Sequence, residues 1–287
     1  QDSLVDRIVG TVAASLRHHE GKRALAASEE TLVAYDLASR AKLLFRRNTI
    51  ESMTEARKLL HRANNIDPAY APAFSILAQV EQFFFTSRVS DEYAKPETAK
   101  RVLEAAARAV SLAPENAFAH AVHGMSLRMK KDYDQAAREA KFARQLAPND
   151  PEVLAPVSTI LLSVGDYQGS VDTMRLAWTL NPHLSPVFIG AVLAQGLFAL
   201  GDYDASKTVA LDCLSKSPRD VRCLESLVRA LGELGPPEEA KIAVDKLLRL
   251  SPRYTIAEYI RRASKNRRDK AAIERWAEGL RKAGIPE

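Results

Sequence analysis

Residues 161–182 read LLSVGDYQGSVDTMRLAWTLNP, and residues 197–218 read LFALGDYDASKTVALDCLSKSP. In each, an apolar run stops at Gly-Asp-Tyr, an amphipathic run follows, and a proline closes the phrase 17 residues after the glycine. Glycine after an apolar run supplies the left-handed residue that ends a helix. Aspartate directly behind it caps the next helix. KDY at 131–133 and GPP at 235–237 hold the same place in two further phrases. Prolines close all the phrases, at Pro68, Pro114, Pro148, Pro182, Pro218 and Pro252, so the intervals are 46, 34, 34, 36 and 34 residues. A pair of short helices cannot bury its apolar face alone, so such units stack into an array.

The residues between the markers agree with that period. Asp150-Pro151 and Ser185-Pro186 read as N-cap and first-turn pairs opening the next unit. Small residues recur where paired helices must cross: Gly124, Ser158 and Ala194 in first helices, Ala136, Ser170, Ser206 and Ala240 in second ones. With these residues the chain resembles a tetratricopeptide-repeat protein. The expected fold is all-α, a right-handed superhelical solenoid of about six tetratricopeptide repeats over 31–254 with flanking helices. Residues 1–30 are read as an N-terminal helix and linker, and 255–287 as C-terminal capping helices. The first unit is degenerate, with Ala41 and Ala56 at the small positions and a longer turn at 46–52. The second carries about 12 extra residues, placed at 84–96 within QFFFTSRVSDEYAKP (82–96). Thr255 and Glu258 form a capping-box pattern. The tail then puts Ile273, Trp276, Ala277 and Leu280 on one helical face, with Gly284 as its stop.

Composition narrows the function classes. A chain 46% hydrophobic and 27% charged can bury a core, which excludes a disordered tail. A net charge of +5 over 287 residues is a weak signal for nucleic acid, and no such contact is expected. The apolar run at 187–200 is shorter than the roughly 20 residues a span requires and reads as a buried helix. Cys213 and Cys223 show no metal spacing and are expected to be small buried packing residues.

A closer resemblance rests on the start QDSLVDRIVGTVAASL, the insertion in the second unit and the ending ERWAEGLRKAGIPE. These are similar to the C-terminal half of multidomain bacterial signalling proteins. There a class III adenylate/guanylate cyclase or a winged-helix DNA-binding domain precedes a small α/β domain and then the repeats. The resemblance implies that the chain is the regulatory half of a longer signalling protein. It would be cytoplasmic, or periplasmic if a membrane span lies upstream. A free-standing scaffold in envelope assembly or secretion is the alternative, and homo-oligomers are compatible with either.

No phosphate loop, HExxH or GxSxG pattern is present, so neither catalysis nor a cofactor is expected. His120 and His123 lie three apart on one helical face, open to a metal or to internal packing. His18-His19-Glu20 reads as linker. The expected binding surface is the concave groove lined by first helices, which receives a protein, a peptide or upstream domains of the same polypeptide. Its residues are Phe118, Met125, Arg128, Met129, Thr159, Leu162, Phe188, Gln195, Phe198, Arg222, Glu225 and Arg229. That mixture suits an apolar or helical peptide with a charged end, although superhelical curvature would bury several. The carboxylate clamp of chaperone-binding relatives is missing: Ala121, Ala155, Ala191, Met125 and Thr159 stand in its places. RRASKNRRDK (261–270) offers Arg261, Arg262, Lys265, Arg267 and Arg268 as a solvated face or as a patch for an anionic partner. Three consecutive phenylalanines, Phe83–Phe85, cannot share one helical stripe. They either plug the insertion or dock a partner.

Overall fold

The computed structural model describes residues 28–87, 90–182, 184–235 and 237–287. The expected N-terminal helix and the His18-His19-Glu20 linker lie outside these residues. The described residues form helices and no strand. They belong to two compact units that divide after Leu112.

The first unit contains α1 (Glu29–Phe45), α2 (Ile50–Ile66), α3 (Ala71–Thr86) and α4 (Pro96–Leu112). They pack as the pairs α1–α2 and α3–α4, with α3 also touching both members of the first pair. Thr49 caps α2 in a reciprocal capping box with Ser52 after a turn in which Asn48 takes the left-handed conformation. Helix α3 runs on to Thr86, and Pro96 opens α4 at the first position, where its missing N–H costs nothing. Phe84 is buried beneath the Arg57 guanidinium, which lies 3.7 Å above its ring, while Phe83 and Phe85 are half-buried.

The second unit contains four further pairs. These are α5 (Ala117–Met129) with α6 (Tyr133–Leu146), α7 (Pro151–Val164) with α8 (Tyr167–Leu180), α9 (Pro186–Ala199) with α10 (Tyr203–Lys216), and α11 (Val221–Leu234) with α12 (Pro237–Leu250). Two last helices follow, α13 (Ile256–Ala263) and α14 (Lys270–Lys282). The turns within pairs have the chemistry read from the phrases. Gly165, Gly201 and Gly235 adopt φ of 98°, 83° and 85°. Asp132, Asp166 and Asp202 accept from the backbone N–H three residues on. Lys131 occupies the glycine place of the third pair at φ 63°, a conformation that costs an L-residue roughly 1–2 kcal/mol.

Close helix crossing explains the small residues. A Cβ on Gly124 would meet the Ala136 carbonyl at 3.2 Å. Ser158 Oγ donates to the Ser170 carbonyl at 2.8 Å, and Ser206 Oγ donates to the Ala194 carbonyl at 2.8 Å. Each hydroxyl fills a crossing while satisfying its own buried oxygen. First helices also touch first helices, α5 to α7, α7 to α9 and α9 to α11, so they make one continuous wall.

The cysteines correct the sequence reading. Both are fully buried, as expected of packing residues, but Cys213 at the end of α10 and Cys223 at the start of α11 form a disulfide with Cα atoms 6.2 Å apart. The stack sets a second helix against the next first helix, which brings two positions 10 apart in sequence within bonding reach.

Candidate functional site

The wall of first helices in the second unit is crossed by the chain's own C-terminal segment. Residues 261–269, the run of arginines in the sequence, pass along it from α11 toward α5. Arg262 begins the crossing: its Nη2 donates to Glu225 on α11, whose other oxygen accepts from Arg229 Nη2 at 2.9 Å. Arg267 Nη2 then donates to Gln195 on α9. The Arg268 backbone N–H donates to the Ser163 carbonyl on α7 at 2.9 Å, and its side chain pairs with Asp134 on α6 at 2.7 Å. Asp269 caps α14 and accepts from the Tyr167 hydroxyl at 3.0 Å.

Behind this crossing, α14 packs on α11 and α9. Gly232 and Gly279 permit that approach, because a Cβ on Gly232 would lie 1.9 Å from the Gly279 carbonyl oxygen. Ile273, Trp276, Ala277 and Leu280 are buried there, so the face read as an end cap lies on the wall and reaches beyond the terminal pair. The chain end is held as well: the Ile256 N–H donates to the Pro286 carbonyl at 2.9 Å.

The electrostatics follow from burial. Burial works to raise the Glu225 carboxyl, yet Arg262 and Arg229 together hold it below the usual carboxylate range. Burial opposes the charge of Arg262, but Glu225 raises it overall. Arg229 is 1% exposed, and its guanidinium lies 5.4, 5.3 and 5.1 Å from the rings of Phe198, Tyr259 and Trp276. Aromatic faces stand here where water would solvate a surface arginine. Tyr167 is pushed up to about 12 by burial and by its bond to Asp269.

The sequence-derived groove residues divide accordingly. Thr159, Leu162, Phe198, Glu225 and Arg229 are buried, and Gln195 is half-buried against Arg267. Phe118, Met125, Arg128, Met129 and Phe188 are half-buried, and Arg222 is exposed. Of the basic run, Arg262 and Arg267 turn inward, while Arg261, Lys265 and Arg268 are exposed. Sequence reading missed Ser163, Tyr254, Tyr259 and Asp269. Tyr254 and Tyr259 shortly before Arg262 are a usable signal for a stacked guanidinium, which lies over both rings.

His120 and His123 converge on one carboxylate, Glu139, at 2.6 and 3.3 Å. The other nitrogen of His120 faces the Pro114 carbonyl at 2.7 Å. Among the described residues no group of three potential ligands is placed to hold a metal ion.

In the first unit a second arginine–carboxylate network borders a cleft of about 540 Å³. Glu81, 1% exposed, receives Arg57 and Arg101 at 2.9 Å each. Glu92 of the insertion closes the ring by pairing with Arg57 at 2.7 Å and with Arg101.

Known structures share this arrangement of helix pairs. A chain of the APC/C hetero-tetramer Cut9–Hcn1 superposes with a TM-score of 0.61 at 18% identity, over 80% of this chain. This chain spans 44% of that one. PilF of Pseudomonas aeruginosa matches with a TM-score of 0.56 at 18% identity, over 83% of this chain and 100% of its own. PilW, a type IV pilus biogenesis factor, matches at 0.53 with 15% identity, over 69% of this chain and 90% of its own. The fold is the tetratricopeptide solenoid. No family model matches the sequence, and no curated protein matches it. Six tetratricopeptide-type pairs thus account for α1 to α12, and α13 and α14 are additions to the fold. No helix among the described residues is long and apolar enough to cross a membrane.

Proposed function

We propose that the chain is a non-catalytic protein–protein interaction module whose working surface is the wall of first helices. One observation carries this reading: the wall already receives a peptide segment, its own residues 261–280, through side-chain pairs, a backbone hydrogen bond and a packed helix. A surface able to hold a basic helix end and turn followed by an amphipathic helix has the means to hold a partner's segment of the same kind. The part of the wall carrying Phe118, Met125 and Met129 is half-exposed and supplies apolar anchors. The test is affinity capture with wild type, with Met125→Glu/Met129→Glu, and with Leu180→Glu as an exposed control. Partners lost only with the double variant support the wall as the surface; partners retained by it overturn the reading.

The signalling context, with an adenylate/guanylate cyclase or winged-helix domain upstream, rests on the resemblance of the two ends and the insertion. Reading the gene upstream of Gln1 tests it, since an in-frame effector domain is required. A free-standing scaffold of envelope assembly or secretion is the second reading. It draws support from the full coverage of PilF and from the Cys213–Cys223 disulfide, a bond that persists in oxidising compartments. Thiol labelling of the protein in its native cells distinguishes them: protected cysteines favour the envelope, and two free thiols favour the cytoplasm.

A further inference from the structure

The arginine cluster on the wall of the second unit has more positive charge than its carboxylates neutralise. Arg262, Arg229, Arg267 and Arg128 follow one another along this wall, and Glu225 pairs with Arg229 and Arg262 while also accepting from the Tyr254 hydroxyl. Of the nearby acids, Asp134 pairs with Arg268 and Asp269 with Tyr167 and Arg275, while Glu258 adds its charge at Arg262. Arg128 and Arg267 meet only neutral acceptors, the Ser163 hydroxyl and the Gln195 amide oxygen.

Geometry brings these groups together independently of charge. Ser163 accepts from Arg128 Nη1 at its hydroxyl and from the Arg268 backbone at its carbonyl, so the Arg128 guanidinium and the Arg267–Arg268 peptide converge on one residue. Arg267 and Arg229 both stack on the Trp276 indole, at 4.2 and 5.1 Å. Buried donors there have no acceptor: Arg128 Nε, Arg267 Nη1, and Nε and Nη1 of Arg229, a side chain that is itself 1% exposed. The buried hydroxyl of Tyr133, beside Asp134, is likewise without a partner. Leaving buried guanidinium donors unpaired is costly, and an oxyanion accepting two forked N–H groups removes that cost.

We propose that Arg128, Arg267 and Tyr133, with Arg229 behind them, form a receptor for an oxyanion carried by a partner on the inner face of the second unit. The group is a carboxylate or a phosphate, since both offer a pair of anionic acceptor oxygens that a guanidinium fork can engage. The site is distinct from the clamp of chaperone-binding relatives, whose positions here hold alanine, methionine and threonine. Burial, and then the neighbouring charge of Arg267, brings Arg128 down to about 10, and burial followed by Arg229 does the same to Arg267. Both remain cationic at neutral pH, as an anion receptor requires. The receptor rests on the reading of this wall as an interaction surface, and its test uses isolated oxyanions so that its failure is distinct from a failure of partner capture.

The experiment follows the thermal unfolding midpoint of the full chain against potassium phosphate and against an acetylated tri-glutamate peptide, each with potassium chloride at matched ionic strength. The expected result is a saturable rise with phosphate or tri-glutamate that chloride does not reproduce. Saturation by phosphate alone assigns a phosphate, and saturation by tri-glutamate alone a carboxylate; either supports the site. Arg128→Gln and Arg267→Gln should raise the half-saturating concentration at least tenfold, while the exposed Arg138→Gln leaves it unchanged. Should Arg128→Gln fail to fold, Arg128→Lys keeps the charge but loses the fork, and a several-fold weakening is expected. A midpoint indifferent to both oxyanions overturns the proposal, as does an equal loss in Arg138→Gln.

Discussion

Two arginine–carboxylate networks hold two irregular segments of this protein, and they are built to different balances. In the first unit, Arg57 and Arg101 face Glu81 and Glu92, two charges against two, and the ring ties the insertion to α2, α3 and α4. In the second unit, Glu225 pairs with Arg229 and Arg262, Arg128 and Arg267 bond only neutral acceptors, and the C-terminal segment crosses α11, α9 and α7. A balanced ring neutralises itself and needs nothing further. An unbalanced cluster leaves buried donors over, and these are what a ligand can use. The comparison teaches that charge count, together with burial, separates a structural clasp from a candidate receptor.

The largest effects should come from removing the buried carboxylates. Glu225→Ala and Glu81→Ala each strand buried guanidinium groups and should cost about 3–5 kcal/mol in denaturant unfolding. They should differ under limited trypsin digestion. Loss of Glu225 releases the C-terminal segment and exposes cleavage after Arg267 and Arg268, whereas loss of Glu81 leaves those bonds protected. Equal protection in both variants would dissolve the distinction.

The disulfide comes next. Reducing Cys213–Cys223, or replacing both by alanine, should cost about 2–3 kcal/mol, the value for a closed loop of roughly ten residues. The measured loss belongs to the second unit, so unfolding followed by near-ultraviolet absorption of Trp178 and Trp276 should register it.

Acid sharpens the comparison further. The folded-state pKa of Glu225 is lowered, so its stabilisation is fully present above the unfolded value of about 4.3 and disappears as pH falls through the folded value. Each unit of lowering corresponds to roughly 1.4 kcal/mol. Unfolding midpoints between pH 5 and 2 should therefore fall more steeply in wild type than in Glu225→Gln. Glu92 is lowered too, by the Arg57 hydrogen bond first, but it is partly exposed and solvent screens it, so Glu92→Gln should change the slope less.

The smallest effect concerns one turn. Lys131→Gly relieves a left-handed lysine and should gain up to about 1 kcal/mol. Gly165→Ala, at the same place in the next pair with no atom within 4 Å of its added Cβ, should lose about 1 kcal/mol from backbone strain alone. Equal and opposite shifts would confirm that the turn conformation, and nothing beside it, is being measured.

Much of this was legible in the residues. The Gly-Asp-Tyr phrases fixed the helix ends, because a left-handed glycine and an aspartate cap act within four residues of themselves. The serines and glycines at the crossings were legible for a related reason: a period of 34 repeats the same contact, so one crossing explains the others. Pro96 and the phenylalanines marked the insertion because they break that period.

The candidate site was only half legible. The groove residues could be numbered from the period, but nothing in the period says that RRASKNRRDK lies across them. Its partners include Glu225, Gln195, Ser163 and Asp134, between 37 and 134 residues away. The disulfide was hidden for the same reason, since its two cysteines are neighbours only once α10 and α11 pack. By itself the sequence determined the repeating unit, its ends and its crossings, which are local and periodic. Tertiary structure alone decided where the non-periodic tail comes to rest and which arginines it leaves without a counter-charge, because that depends on which distant surface offers matching acceptors.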